Sequence, residues 1–75
     1  MKNDLLTEFG NHLREIRLKQ NLSQTELAFK GGFDRNYIGM LERGERNPSL
    51  KNLQRLADIL EITLPELLNY KNDKI

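Results

Sequence analysis

FDRNYIGMLERGERNPS, Phe33 to Ser49, is the stretch on which the reading of this chain turns. Its first part has the spacing of a short helix with two unlike sides. Ile38, Leu41 and Glu42 fall on one side at three- and four-residue steps, a mostly apolar face that wants a core. Arg35, Asn36, Gly39, Met40 and Arg43 fall on the other, which is polar, cationic or nearly bare and points away from it. A helix held outward in this way by a small scaffold suits insertion into the major groove of DNA.

The residues on either side supply such a scaffold. Before the stretch, a helix is expected from about Asp4 to Gln20, with Leu6, Phe9, Leu13 and Ile16 as its apolar stripe. Arg17 continues that stripe inward and therefore needs an anionic partner, since an unpaired buried charge is strongly unfavourable. Gly10 inside the helix costs about 1 kcal/mol relative to Ala, for which close packing and simple tolerance are both open explanations. Ser23-Gln24-Thr25-Glu26 reads as a capping box that opens a second helix, with Leu22 in the staple position before it. Leu27 and Ala28 face inward, and Gly31-Gly32 ends the helix, glycine permitting the left-handed backbone of the exit. Phe33 then plugs the turn, and Asp34 caps the outward helix, which ends near Gly44.

After the extended segment Glu45-Arg46-Asn47-Pro48, Ser49 caps a fourth helix, about Leu50 to Glu61, with Leu50, Leu53, Leu56, Ala57 and Leu60 as its apolar face. Thr63-Leu64-Pro65-Glu66 is a second capping box with Pro early in the helix, opening a fifth helix from about Leu64 to Asn69. β-branched residues are few and strict alternation is absent. The expectation is an all-α, compact five-helix fold forming one domain over 1–75, with 23–43 as two helices and their turn, helices four and five over about 50–69, and a frayed tail over 70–75.

Composition excludes several classes. A chain of 75 residues buries roughly 60% of its unfolded surface, so the core is small. There is no cysteine, and His12 is the sole histidine, so neither a metal site nor a histidine-based catalytic set is expected. Glu8, Glu15, Glu61 and Glu66 are scattered over solvated faces, and Ser23 and Ser49 are caps, so no catalytic residue is identified and no enzymatic activity, cofactor or small-molecule ligand is expected. No apolar run approaches the ~18 residues of a membrane span, and the N-terminus lacks a secretory apolar stretch; a cytoplasmic protein without membrane attachment is expected. Net charge is only +1, and residues 30–47 carry four cations against three acids. Attraction to nucleic acid must therefore come from the placement of charges.

Two helices joined by Gly31-Gly32-Phe33, the second facing outward, form a helix-turn-helix pattern. The ordered set of Leu13, Ile16 and Arg17; Leu22-Ser23-Gln24; Glu26-Leu27-Ala28; Gly32; Tyr37-Ile38; Leu41-Glu42-Arg43-Gly44; Asn47-Pro48-Ser49-Leu50; Leu53, Leu56-Ala57, Leu60 and Leu67 resembles the phage-repressor/Cro type of helix-turn-helix domain, also called the XRE family. The resemblance covers about residues 5–69. Leu27 to Lys30, Asp34 to Ile38 and Glu42 to Leu50 further resemble controller proteins of restriction–modification systems, small dimeric regulators. Two departures stand out. Phe29 occupies a position usually polar in the wider family, and Gly31 doubles the turn glycine, which is expected to loosen the turn.

The resemblance and the two-sided helix together assign roles. Arg35 is the first candidate base reader, its guanidinium forking onto guanine O6 and N7. Asn36, Tyr37, Gly39 and Met40 complete the candidate base-reading set, Gly39 by allowing DNA to approach closely and Met40 by packing on a thymine methyl. Gln24, at the start of helix two, is the position the family uses to hold phosphate, and Arg43, Arg46 and Asn47 clamp the backbone after the outward helix. Arg17 and Glu42 pair with each other, as the family does at these positions, and Asp34 is occupied as a cap.

Ile62, Leu64, Leu67, Leu68 and Tyr70 form the candidate dimer surface; Leu64 and Leu67 also close the monomer core, leaving Ile62, Leu68 and Tyr70 as the exposed members. The implied function is a homodimeric, sequence-specific transcriptional regulator of double-stranded DNA, reading a pseudo-palindrome in its own promoter, with RNA polymerase as a further partner. The alternatives are a stand-alone phage-type repressor, or an antitoxin or adaptor domain whose outward Met40, Gly39 and Phe29 meet protein.

Overall fold

The computed structural model describes residues 4–69, and Tyr70 of the expected dimer surface lies outside them. Among these residues five helices follow one another with no strand: α1 (Asp4–Lys19), α2 (Gln24–Gly31), α3 (Arg35–Glu42), α4 (Leu50–Leu60) and α5 (Leu64–Leu68). The caps explain most of the boundaries. Ser23 and Thr63 each accept from the backbone N–H of a glutamate three residues on, and Glu26 and Glu66 accept in return from the cap N–H at 2.8 Å. Glu26 titrates below the ordinary carboxylate value because Ser23 binds its ionised form through backbone N–H and hydroxyl. Asp34 accepts from Asn36 N–H and Ser49 from Asn52 N–H, both 3.1 Å. Gly32, at φ 71°, turns the chain out of α2.

The core is drawn from every helix: Phe9 and Leu13 of α1, Leu27 and Ala28 of α2, Ile38 and Leu41 of α3, Leu56, Ala57 and Leu60 of α4, and Leu67 of α5. α3 packs on α1 and α2, while α4 joins α2 to α5. Two polar ties close the ends of this bundle. Gln20 Nε2 donates to the Leu60 carbonyl at 2.8 Å, and His12 Nε2 lies 3.0 Å from the Glu66 carbonyl oxygen.

Two details differ from the sequence-based expectation, and a third decides between the two explanations left open for Gly10. Leu50 is 70% exposed and not on the buried face of α4, because as the residue directly after the cap it precedes the turn that meets the core. Gly31 does not loosen its turn: a Cβ there would stand 2.5 Å from Ile59 Cδ1 and 2.7 Å from the Phe33 ring, so α2 and α4 meet where a side chain would stand. Gly10 is likewise a contact point, since a Cβ would lie 2.5 Å from the Glu42 carbonyl oxygen and against that of Leu41. Gly10 thus lets α1 lie directly on the C-terminal end of α3. Helix propensity alone makes Gly10→Ala stabilising by about 1 kcal/mol. Overpacking against backbone makes it destabilising by about 1–3 kcal/mol. The urea midpoint of Gly10→Ala is expected to fall below that of the parent; a rise would mean that α1 and α3 are not in close contact at Gly10.

Candidate nucleic-acid interface

α3 is held by its inner face. Ile38 and Leu41 have no exposure, and beside them Glu42 turns inward to meet Arg17 from α1. Arg17 donates to both carboxylate oxygens, Nε to Oε2 at 2.6 Å and Nη2 to Oε1 at 3.0 Å, and sends Nη1 to the Leu22 carbonyl at 2.7 Å. Gln24 Nε2 adds a third donor to Glu42, 3.0 Å from Oε1. The side chains of Arg17 and Glu42 are 7% and 3% exposed, so both charges are nearly desolvated and each depends on the other. The cluster ties α1, the start of α2 and the end of α3 into one unit.

The outer face then stands at a fixed angle. Arg35 and Asn36 are exposed in its first turn, and the Asp34 carboxylate is occupied by Asn36 N–H. Tyr37 is half-buried: its ring stacks on Phe33 with centroids 5.5 Å apart, and the Arg46 guanidinium covers the ring at 5.2 Å. Met40 is half-buried beside a hollow that Phe33, Tyr37 and Arg46 also line. Arg43 and Glu45, both more than half exposed, form an ion pair with Nε to Oε2 at 3.0 Å, and Glu45 holds the Arg43 guanidinium above its ordinary value. Asn47 is exposed, and Pro48 follows it. Gln24, Arg35, Asn36, Arg43, Arg46 and Asn47 therefore present polar groups from the α2 start, α3 and the α3–α4 loop.

Two residues are not where the sequence reading put them. Gly39 is buried, not open to a ligand: the Arg43 Nη1 and Gln24 Oε1 atoms lie 3.3 and 3.6 Å from where its Cβ would be. Its bareness makes room for these two side chains. Leu67 has no exposure and closes the core as expected, so the dimer role also expected of it has no surface to use. Ile62, expected to be exposed, is instead half-buried against that core beside Leu64, whereas Leu68 is 42% exposed. Leu68 opens onto an apolar groove of about 280 Å3 with Leu5, Leu6, Phe9, Asn47, Pro48 and Leu53.

Sequence reasoning missed two residues of α4 beside the candidate interface. Asn52 Nδ2 donates to the Tyr37 hydroxyl at 2.9 Å. Arg55 donates to the Gly31 carbonyl at 3.3 Å and lies over the Phe33 ring at 5.1 Å. Their three-residue spacing, off the apolar face of α4, was the available signal. Among the described residues no cluster of three or more His, Asp or Glu side chains could hold a metal, and no helix is long and apolar enough to cross a membrane.

A bundle that locks a helix by its inner face and displays the first turn of that same helix defines a helix-turn-helix protein. The chain belongs to that family: the helix-turn-helix family model matches residues 13–67. Among individual proteins, it is 41% identical over 71 residues to the control protein C.BamHI of Bacillus amyloliquefaciens, covering 93% of this chain and 88% of that one. Of solved structures, the restriction–modification controller protein C.AhdI of Aeromonas hydrophila superposes with a TM-score of 0.81 at 52% identity, covering 83% of this chain and 94% of that one. The controller protein C.Esp1396I, crystallised as a tetramer in complex with its natural 35 base-pair operator, matches with a TM-score of 0.76 at 30% identity over 91% of this chain and 100% of that one.

Removing one member of the buried pair leaves the other charged and unpaired. Arg17→Met and Glu42→Leu are each expected to lower unfolding free energy by about 3–5 kcal/mol in urea titrations, and the double variant to regain much of the loss. Additive losses in the double variant would show that the two charges are not coupled.

Proposed function

We propose that this chain is a sequence-specific DNA-binding transcriptional regulator that works as a homodimer and lays α3 in the major groove. The observation that carries the reading is the exposed Arg35–Asn36 pair at the start of a helix immobilised by the Arg17–Glu42–Gln24 cluster. Base reading needs donors and acceptors held in register, and that cluster removes the freedom of α3 to tilt. Arg35 reads guanine, Asn36 adenine or backbone, and Tyr37 and Met40 the flank. Gln24, Arg43, Arg46 and Asn47 hold phosphate, with Arg43 exchanging Glu45 for a phosphate oxygen.

A body of 35 × 26 × 23 Å is about as wide as one turn of DNA, roughly 34 Å. Two copies joined through Leu68 and Ile62 would thus present their α3 helices to successive major-groove faces. The relatedness to C.BamHI and C.AhdI supports the controller type, in which the regulator acts on its own promoter and sets expression of restriction–modification genes in the cytoplasm. Phe29, 86% exposed on α2, favours a protein contact beside the DNA one, with RNA polymerase the partner that a regulator meets at a promoter. The same residue is what an antitoxin or adaptor reading would use.

The test uses a duplex selected from a random library by the parent protein and a scrambled duplex of equal length, with fluorescence anisotropy across salt. Arg35→Ala is expected to weaken binding to the selected duplex about 10- to 100-fold, corresponding to roughly 1–3 kcal/mol, and to leave the scrambled one within twofold. Arg46→Ala is expected to weaken both and to lower the salt slope by about one. Equal, weak binding of the parent to both duplexes would overturn the regulator reading in favour of the adaptor.

A further inference from the structure

A hollow of about 380 Å3 lies between the start of α3 and α4, lined among others by Phe33, Tyr37, Met40, Arg46, Asn52 and Arg55. Its two aromatic rings are both covered by cations, Arg46 over Tyr37 and Arg55 over Phe33. The Tyr37 ring is engaged by both Phe33 and Arg46, and its hydroxyl is the polar group it can offer a ligand. That hydroxyl has one polar neighbour from α4, the Asn52 amide, donating at 2.9 Å. Asn52 is itself placed from two directions. Its backbone N–H is bound by the Ser49 cap at 3.1 Å, and the core residues Leu56, Ala57 and Leu60 hold α4 behind it.

We infer that Asn52 is a positioning residue for DNA recognition: it fixes the Tyr37 hydroxyl as an outward hydrogen-bond donor. A phenolic hydroxyl carries one proton and two acceptor lone pairs, and its proton turns to suit its surroundings. Once an amide N–H occupies a lone pair, the proton points elsewhere and the hydroxyl offers a donor. The partner it then selects is a hydrogen-bond acceptor on DNA, either a phosphate oxygen or a base-edge acceptor such as purine N7 or thymine O4. With one lone pair taken by Asn52, a single lone pair is left for an exposed amino group such as adenine N6 or cytosine N4, so an acceptor is the favoured partner. Asn52 thereby restricts what Tyr37 reads without touching DNA itself. The inference rests on the DNA-binding reading above and adds α4 to the elements that set specificity.

A double-mutant cycle separates positioning from direct contact. Asn52→Ala, Tyr37→Phe and the double variant are titrated with the selected and scrambled duplexes, alongside thermal melting. Loss of one hydrogen bond predicts about fivefold weaker binding for Asn52→Ala when Tyr37 is present, and no further loss in the Tyr37→Phe background. Melting midpoints should stay close to the parent's. Coupling confined to the selected duplex assigns a base-edge acceptor, and equal coupling on both duplexes assigns phosphate; either supports the inference. An equal loss in both backgrounds, or no loss in either, overturns it. Should the alanine variant melt below assay temperature, Asn52→Ser, whose hydroxyl is too short to reach Tyr37, serves the same cycle. Failure of the parent to prefer its selected duplex would sink the functional reading instead, so the two failures are distinguishable.

Discussion

Arg17 carries a full positive charge into the middle of a bundle, and the structure is built around neutralising it. Its five N–H donors form a planar fork, which suits a carboxylate met face-on. Glu42 supplies that carboxylate from α3, the Leu22 carbonyl takes a further donor, and Gln24 satisfies the remaining demand of Glu42. Four chain segments meet in these bonds: the end of α1, the loop after it, the start of α2 and the end of α3. A hydrophobic pair could hold the same segments together, but it would not fix their mutual rotation. Charge-assisted bonds at 2.6–3.0 Å tolerate little rotation, and rotation of α3 is what would move its outer side chains off register.

The cluster also explains how a nearly neutral chain can face a polyanion. The acids nearest the outer face are occupied: Glu42 is turned inward, Asp34 binds Asn36 N–H, and Glu45 is folded onto Arg43. Arg35 stands exposed beside them and Arg46 lies over Tyr37. Local charge is therefore a matter of which oxygens remain available, and a count over residues 30–47 misses it. Gln24 has a share in both halves of the design. It is bonded to the buried pair and lies over Gly39, at the border between the locked face and the displayed one.

Much of this was legible in the sequence because it is local or periodic. Ser23, Asp34, Ser49 and Thr63 announce α2 to α5 through residues two or three positions away, and the apolar stripe of Leu6, Phe9, Leu13 and Ile16 announces α1. Arg17 on an apolar stripe demanded a buried acid, and Glu42 on the inner side of the next-but-one helix could meet it. What could not be read depends on contacts between elements distant in sequence. Gly39 has the spacing of an outer residue, yet Gln24 reaches across from α2 to cover it. Ile62 has the look of an exposed residue until the core packs against it. Asn52 sits 15 positions from the tyrosine it serves, and its spacing with Arg55 off the apolar face of α4 does not name that partner. Gly10 left close packing and simple tolerance both open and Gly31 read as loosening, because a glycine in sequence does not say which backbone or ring will lie against it.

The central claim is that one outward turn, locked from behind, meets DNA. It is tested most directly by following the backbone amides of isotopically labelled protein by NMR while its selected duplex is added. The account predicts the largest shifts at Gln24, Arg35, Asn36, Tyr37 and Arg43 to Asn47, with a smaller response at Asn52, while Leu13, Leu56 and Leu60 stay near their free positions. Shifts centred on Phe29 and the exposed side of α2, with Arg35 and Asn36 unmoved, would contradict it.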